Sequence, residues 1–295
     1  MNPMSALRIQ ILGNPLIGLQ LPPGIHPASK DRDTHMKTYA IADIHGRADL
    51  LGALLGNIAA ANAQSSTDYR VVFLGDIIDR GPDSKNAMDL VVAELARCAD
   101  SRLILGNHEE FLLYFLDLPE KRDLVFDHWM RNGGLACAAS YGLDTSRPYH
   151  DIRKAHRDLL ELLEHHPEHL AVLRSAVAMV AHVGHIFVHA GLRPGIPLSD
   201  QMTKDLRTIR APFLESDYHF DRVVVHGHTI TKSGRPEIYS NRIALDCGAE
   251  QSGLLAAIEI ADGRLLRYFA AQKTDRLEVV EVEPVMFCTR DHIRC

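Results

Sequence analysis

Arg70-Val71-Val72-Phe73-Leu74-Gly75-Asp76-Ile77-Ile78-Asp79-Arg80-Gly81 runs from an apolar, β-branched stretch straight into an acidic loop bounded by glycines. Two similar junctions flank it. Lys37 to Ala42 leads into Asp43-Ile44-His45-Gly46, and Arg102 to Leu105 leads into Gly106-Asn107-His108-Glu109. The three junctions recur at roughly thirty residues, the length of one strand–helix–strand unit. Helical periodicity fills the gaps, from Asp49 to about Ala61 and from Ser84 to Cys98, the latter with apolar Met88, Val91, Val92 and Leu95. A βαβαβ order of this kind predicts a parallel sheet with right-handed crossovers. All three polar loops then fall at one sheet edge.

The pattern turns helical between Glu109 and His182, with breaks at Asn132-Gly133-Gly134, Tyr141-Gly142 and Pro148. We read a helical insert over about residues 110–182, covering one side of the site. Strands return at His185–His189, Arg222–His226, Arg242–Asp246 and Leu254–Ile260, the last joined to Leu265–Ala270 by an Asp262-Gly263 hairpin signal. These later strands predict a second, mixed sheet packed on the first. Residues 1–35, with Pro15, Pro22-Pro23 and Pro27, read as a poorly ordered extension. Residues 36–275 read as the main domain and 276–295 as a C-terminal tail.

Composition sets limits. At 295 residues, 46% hydrophobic and 24% charged, the chain can bury a sizeable core. A net charge of −6 offers no global field for nucleic acid or anionic membranes, and no apolar run is long enough to span a bilayer. Five scattered cysteines without a CxxC pair argue against a disulfide framework and a zinc ribbon. The expected compartment is the cytoplasm.

Two further strand ends supply His189 (in Val188-His189-Ala190-Gly191) and His228 (in His226-Gly227-His228-Thr229). Functional groups in open α/β sheets gather beyond the carboxyl ends of strands. Asp43, His45, Asp76, Asn107, His189 and His228 all stand there. Carboxylate, imidazole and amide oxygen suit Mn²⁺, Fe or Zn²⁺. Six such ligands suit two ions, with Asp76 the natural bridge between the outer groups.

The order D-x-H-G, G-D-x-x-D-R-G, G-N-H-E, H-A-G and G-H-T resembles the calcineurin-like metallophosphoesterases. Within them it is similar to the PPP-type Ser/Thr protein phosphatases of the bacterial and phage branch, which also contains the symmetrical dinucleoside tetraphosphate hydrolases. The resemblance covers roughly residues 37 to 260. It implies a four-layer αββα sandwich of two mixed β-sheets flanked by helices, with a helical cap insert. It further implies that Asp43 and His45 hold one metal, Asn107, His189 and His228 the other, and Asp76 both. The metals would be two divalent ions, with Mn²⁺ the first choice.

In the same resemblance a two-metal-activated hydroxide attacks phosphorus. His108 is the general acid, oriented by Asp79, and Arg80, Asn107 and Arg210 bind substrate phosphate. The family pattern Trp-Ile-Arg is broken here by Thr208, which leaves Arg207 open as the alternative to Arg210. The first expected substrate is a phosphorylated protein or peptide. The alternative is a small phosphorylated nucleotide, as in symmetrical dinucleoside tetraphosphate hydrolysis. A catalytically silent metal-binding scaffold is a distant third.

Other residues carry plainer readings. His226 is expected to support the site or pack rather than ligate, and Glu109 and Glu110 to serve helix N-terminal electrostatics. Asp83 and Ser84 are expected to cap a helix. His165-His166-Pro167-Glu168-His169 reads as a solvated helix end, and Cys247 as a small core residue. Trp129 to Gly134 reads equally as a helix stop or as part of the cap lining the substrate groove.

Overall fold

The computed structural model describes residues 36–63, 68–146 and 151–287. The reading of residues 1–35 lies outside that set. Strand β1 (Lys37–Ile41) pairs in parallel with β2 (Tyr69–Phe73), Lys37 opposite Tyr69 and Ile41 opposite Phe73. Strand β3 (Arg102–Leu103) adds in parallel beyond β2. The crossovers are α1 (Ala48–Asn62) and α2 (Ser84–Arg97). Helix α1 buries Leu50, Leu51, Leu54, Leu55 and Ile58, the three-to-four spacing of a core-facing stripe. Asp83 caps α2, its carboxylate accepting the Asn86 N–H at 3.2 Å, a contact worth about 1 kcal/mol.

The insert holds α3 (Asn107–Asp117), α4 (Arg122–Trp129), α5 (Leu135–Ser140), α6 (Ile152–Glu164) and α7 (Pro167–Ser175). It ends before residue 182. Strand β4 (Met179–His182) forms a hairpin with β5 (His185–Val188) through Val183-Gly184, where Gly184 has φ +77°. Its four residues were too few to outweigh the helical periodicity before them. The second sheet is completed by β6 (Val223–His226), β7 (Glu237–Ile238) and β8 (Arg242–Ala244), with β5, β6 and β8 parallel. Along β5 and β6, Phe187 and Val225 join the main core. The alternate residues Ile186, Val188 and Val224 pack on α8 (Thr203–Thr208), α9 (Ala211–Leu214) and Ile209 between them, meeting Leu206 and Phe213 on the two helices. Period-two alternation therefore puts one face of this sheet inward and the other under helices.

The short helix α10 (Ala249–Ser252) precedes β9 (Leu254–Ala261) and β10 (Arg264–Lys273). These two strands belong to the first sheet, not the second. Strand β9 pairs antiparallel with β1, Ile41 opposite Ala257, and β10 pairs with β9. An all-apolar strand such as β9 declares itself buried but does not say in which sheet. The expected C-terminal tail also contains two strands. β11 (Leu277–Glu281) extends the first sheet antiparallel to β10, and β12 (Val285–Met286) extends the second parallel to β7. Short edge strands with interleaved charges carry little apolar signal.

The sheet orders are β11-β10-β9-β1-β2-β3 and β12-β7-β8-β6-β5-β4. Two mixed sheets flanked by helices make the four-layer sandwich that the sequence implied. The carboxyl ends of β1, β2, β5 and β6 open toward one edge. No helix among the described residues is long and apolar enough to cross a membrane.

Candidate active site

Three of the polar loops at that edge, those after β1, β2 and β6, bend through an uncommon backbone. Six non-glycine residues among the described ones have positive φ. Five are His45 (46°), Asp76 (50°), Asp79 (74°), Arg80 (65°) and His228 (63°), and the sixth, Asp262, is in a hairpin. Left-handed residues persist only where their surroundings over-determine them, and they cluster at functional sites. Glu109 does much of that here. It is fully buried, and its carboxylate accepts from the N–H groups of Asp76 (2.9 Å), Ile77 (2.7 Å) and Gly106 (3.0 Å). The sequence reading gave Glu109 only the electrostatics of a helix start; the structure makes it the clamp of the middle loop. Ser84 likewise accepts the Asp79 N–H at 2.9 Å rather than capping α2. Close approach is enforced at Gly227, where a Cβ would stand 1.9 Å from Asp43 Oδ1.

The side chains form two groups that share one carboxylate. In the first, His45 Nε2 lies 3.6 Å from Asp76 Oδ2 and His108 Nε2 lies 3.9 Å from the same oxygen. In the second, His189 Nε2 lies 3.4 Å from Asp76 Oδ1 and 3.1 Å from Asn107 Oδ1, with His228 alongside. Asp43 holds the His228 N–H through Oδ2 at 2.9 Å. Asp43, His45, Asp76, Asn107, His189 and His228 are thus brought together as the sequence expected. His226 stands apart; its Nδ1 donates to Gly227 O and its ring packs edge-on to Phe213.

The donor chemistry fits divalent cations. His45 and His189 donate Nδ1–H to the carbonyls of Ile78 (2.9 Å) and Leu74 (2.8 Å). Each Nε2 lone pair is then aimed inward, the usual way a protein orients an imidazole ligand. Burial pushes the His45 pKa down to about 3 and lowers those of His189 and His228, which keeps these rings neutral. At His189 the lone pair faces the Asn107 oxygen, so two acceptors confront each other. Asp43 Oδ1 and His228 Nε2 are buried without hydrogen-bond partners. Acceptors converging without donors need positive charge between them.

A separate chain of contacts leads from this cluster into the insert. His108 Nδ1 lies 2.6 Å from Asp79 Oδ2, and the Trp129 Nε1–H donates to both Asp79 oxygens at 3.0 and 2.9 Å. Burial works against the charged His108 ring, but Asp76 and the Asp79 hydrogen bond outweigh it and raise its pKa. The Arg80 guanidinium spans the site, Nη1 donating to His45 Nε2 at 3.1 Å and Nη2 to His108 Nε2 at 3.0 Å. Its backbone N–H donates to Gly133 O at 3.0 Å, and a Cβ on Gly133 would meet Arg80 Cγ at 2.6 Å. The segment from Trp129 to Gly134 therefore serves as a brace for Asp79 and Arg80.

Arg210 is exposed and donates to Thr229 Oγ1 at 3.0 Å, one residue from His228. Arg207 is buried and paired with Glu110. Thr208 bonds back to Lys204 O. Two acids beside the cluster escaped the sequence reading of the site. Asp246 is buried with its pKa pushed up to about 7, chiefly by burial, and adds to the raised pKa of Asp43. Glu250 lies 3.8 Å from Arg80. The signal for Asp246 was its place just past β8. In the insert, His165 is solvated as expected, but His169 is buried between Asp89 and Tyr141, 2.8 Å from each.

The family model for calcineurin-like phosphoesterases matches residues 36–232. The chain belongs to this family. Calcineurin-like phosphoesterases are metallophosphoesterases working through binuclear divalent centres, and this chain is accordingly a hydrolase of phosphoester bonds. Its relatives carry nucleotide-hydrolase names. The asymmetrical bis(5'-nucleosyl)-tetraphosphatase PrpE of Oceanobacillus iheyensis is 28% identical over 239 residues, covering 75% of this chain and 88% of the relative. The symmetrical bis(5'-nucleosyl)-tetraphosphatase of Janthinobacterium sp. (strain Marseille) is 34% identical over 162 residues, covering 54% of this chain and 45% of the relative. A crystal structure of a candidate diadenosine tetraphosphatase superposes with a TM-score of 0.52 at 17% identity, covering 82% of this chain and 96% of its own. That last likeness speaks for the fold alone.

Proposed function

We propose that this calcineurin-like phosphoesterase hydrolyses dinucleoside tetraphosphates. The observation that carries the reading is the likeness to the Oceanobacillus tetraphosphatase along 88% of that relative's length. It favours the second of the two substrate classes read from the sequence over phosphorylated proteins.

In this reading Asp43 and His45 would hold one divalent ion and Asn107, His189 and His228 the other, with Asp76 shared between the two groups. Such ions, when bound, lower the pKa of water and offset charge on the phosphoryl group. The chain's own groups do the rest. Arg80 and Arg210 are planar forks on the rim of the cluster, suited to the oxygens of a phosphate chain. His108 delivers a proton from Nε2 to the leaving oxygen while Asp79 keeps Nδ1 engaged. As Arg80 turns from His108 Nε2 toward an arriving phosphate, that nitrogen is released for its proton. A departing nucleotide phosphate is a weak base, so His108 matters less for this substrate than for an alkoxide.

The short His108–Asp79 contact of 2.6 Å favours a second reading, phosphoserine or phosphothreonine hydrolysis, whose alkoxide leaving group requires an acid. Side-by-side turnover of diadenosine tetraphosphate and a phosphopeptide, with Mn²⁺ restored after chelation, tests both. We expect the nucleotide to have the larger kcat/KM, with products identified chromatographically as two ADP or as ATP plus AMP. Faster phosphopeptide turnover would reverse the order of the readings.

A further inference from the structure

A cavity of about 540 Å³ opens beside the cluster on its His228 side, within the range of roughly 300–1,000 Å³ typical of small-molecule sites. Arg210 and Thr229, joined by their 3.0 Å hydrogen bond, both line it, and Thr229 directly follows His228. Anything whose phosphate reaches Arg210 from the active site has its next group at this opening.

The chemistry of the walls is divided. Arg210, Lys232 and Arg242 bring three positive charges against Glu215 and Glu237. Glu237 is already engaged, accepting from the Ser233 N–H (2.9 Å) and the Tyr239 hydroxyl (2.7 Å). Opposite stands an aromatic stack. The rings of Tyr239 and Phe287 lie 4.9 Å apart and 8° from parallel, and the Arg242 guanidinium sits 3.4 Å from the Tyr239 centroid. Phe287 is 42% exposed and Ile230 40%, so a large apolar surface faces the opening. Unspent hydrogen-bonding capacity lies in the wall: His226, wholly buried, leaves Nε2 unpartnered, and Arg242 leaves Nε and Nη1 so. Phe287 follows β12, beyond residues 36–232 matched by the family model, and its N–H donates to Ile238 O at 2.8 Å. The aromatic wall is thus completed across β7 and β12, Tyr239 following the one and Phe287 the other.

Flat apolar surface beside positive charge, at the end of a path for phosphates, matches one ligand class. We propose that this cavity is a nucleoside subsite, in which a base stacks on Phe287 while the adjoining phosphate meets Arg210 and Lys232. The proposal rests on the nucleotide reading above and specifies where that substrate's distal half is held. Aromatic stacking is sequence-tolerant, so the subsite accepts more than one base.

Calorimetric binding to the Mn²⁺-loaded full chain separates the subsite from the activity. ADP is compared with ribose 5-diphosphate, which has the same charge and no base. We expect ADP to bind about tenfold more tightly, as stacking of one base implies. Phe287→Ala should bring the ratio near one and Phe287→Trp should keep it. A ratio taken within one variant is indifferent to how much of that variant is folded. Equal affinities in the unsubstituted protein, or an unchanged ratio in Phe287→Ala, would overturn the subsite. Absence of diadenosine tetraphosphate turnover would overturn the proposed function instead, and the affinity ratio would still report on the cavity.

Discussion

Trp129 donates one N–H to both carboxylate oxygens of Asp79, across 50 residues of sequence and with both side chains wholly buried. The same carboxylate holds His108 at 2.6 Å. A single indole thus fixes the plane of the group that orients the proposed acid. Trp129→Phe keeps the ring packing against Phe115 and removes the donor. We expect a loss of about 1–3 kcal/mol in urea denaturation, the usual cost of a buried group left short of a partner. Turnover of alkyl phosphates should fall about tenfold or more, and that of p-nitrophenyl phosphate far less, because phenolate leaves with little help. Equal effects on both substrates would show that Trp129 acts on the fold alone.

Asp76→Asn removes the carboxylate that, among the described residues, is common to both imidazole groups. Metal content by elemental analysis should drop below two ions per chain. Turnover should fall by more than the roughly 100-fold that loss of a mere supporting partner costs a metal site. Retention of both ions would remove Asp76 from the proposed shared role.

The two candidate phosphate arginines are separable by what their loss damages. Arg207→Ala leaves Glu110 without its partner in a largely buried pair. We expect roughly 3 kcal/mol of destabilisation. Arg210→Ala removes an exposed side chain, so stability should hold within about 0.5 kcal/mol while KM for phosphate substrates rises about tenfold. The opposite pattern, with stability lost at Arg210 and KM raised at Arg207, would exchange the assignments.

Chelation should destabilise the protein as well as silence it, because Asp43, Asp76 and Asp246 are buried close enough for each charge to oppose another. At 100 times its Kd a bound ion adds about 2.7 kcal/mol. For a chain of this size that corresponds to a rise in Tm of about 4 °C per ion. Differential scanning fluorimetry after chelation, with Mn²⁺ or Zn²⁺ titrated back, reads it directly. A Tm indifferent to every divalent ion would contradict the metal centre.

What the sequence disclosed follows from how local its signals are. Asp43, Asp76 and Asn107 each sit within a few residues of the strand that positions them, so strand ends and candidate ligands were legible together. His189 and His228 were legible for the same reason. The work of Glu109 was not, since its partners, the N–H groups of Asp76 and Ile77, come from a loop that only the fold brings to α3. Nor could the pattern tell whether Trp129 to Gly134 ended a helix or lined the site, because Asp79 and Arg80 supply the answer from another element. Strands β9 and β10 were recognised and then assigned to the wrong sheet. Their apolar runs report burial, and only the pairing of Ile41 with Ala257 decides the neighbour.

The left-handed backbones at His45, Asp76, Asp79, Arg80 and His228 bear on how this protein can evolve. Loops ordinarily absorb substitutions that cores refuse. Here each bend costs of order 1 kcal/mol or more and is held by its neighbours, and Asp and His are among the residues that best tolerate it. A β-branched replacement at any of these positions would lose the functional group and the turn at once. Random mutagenesis should therefore find these loops less permissive than the apolar interior they connect, and drift in the family should be channelled into the insert and the C-terminal edge.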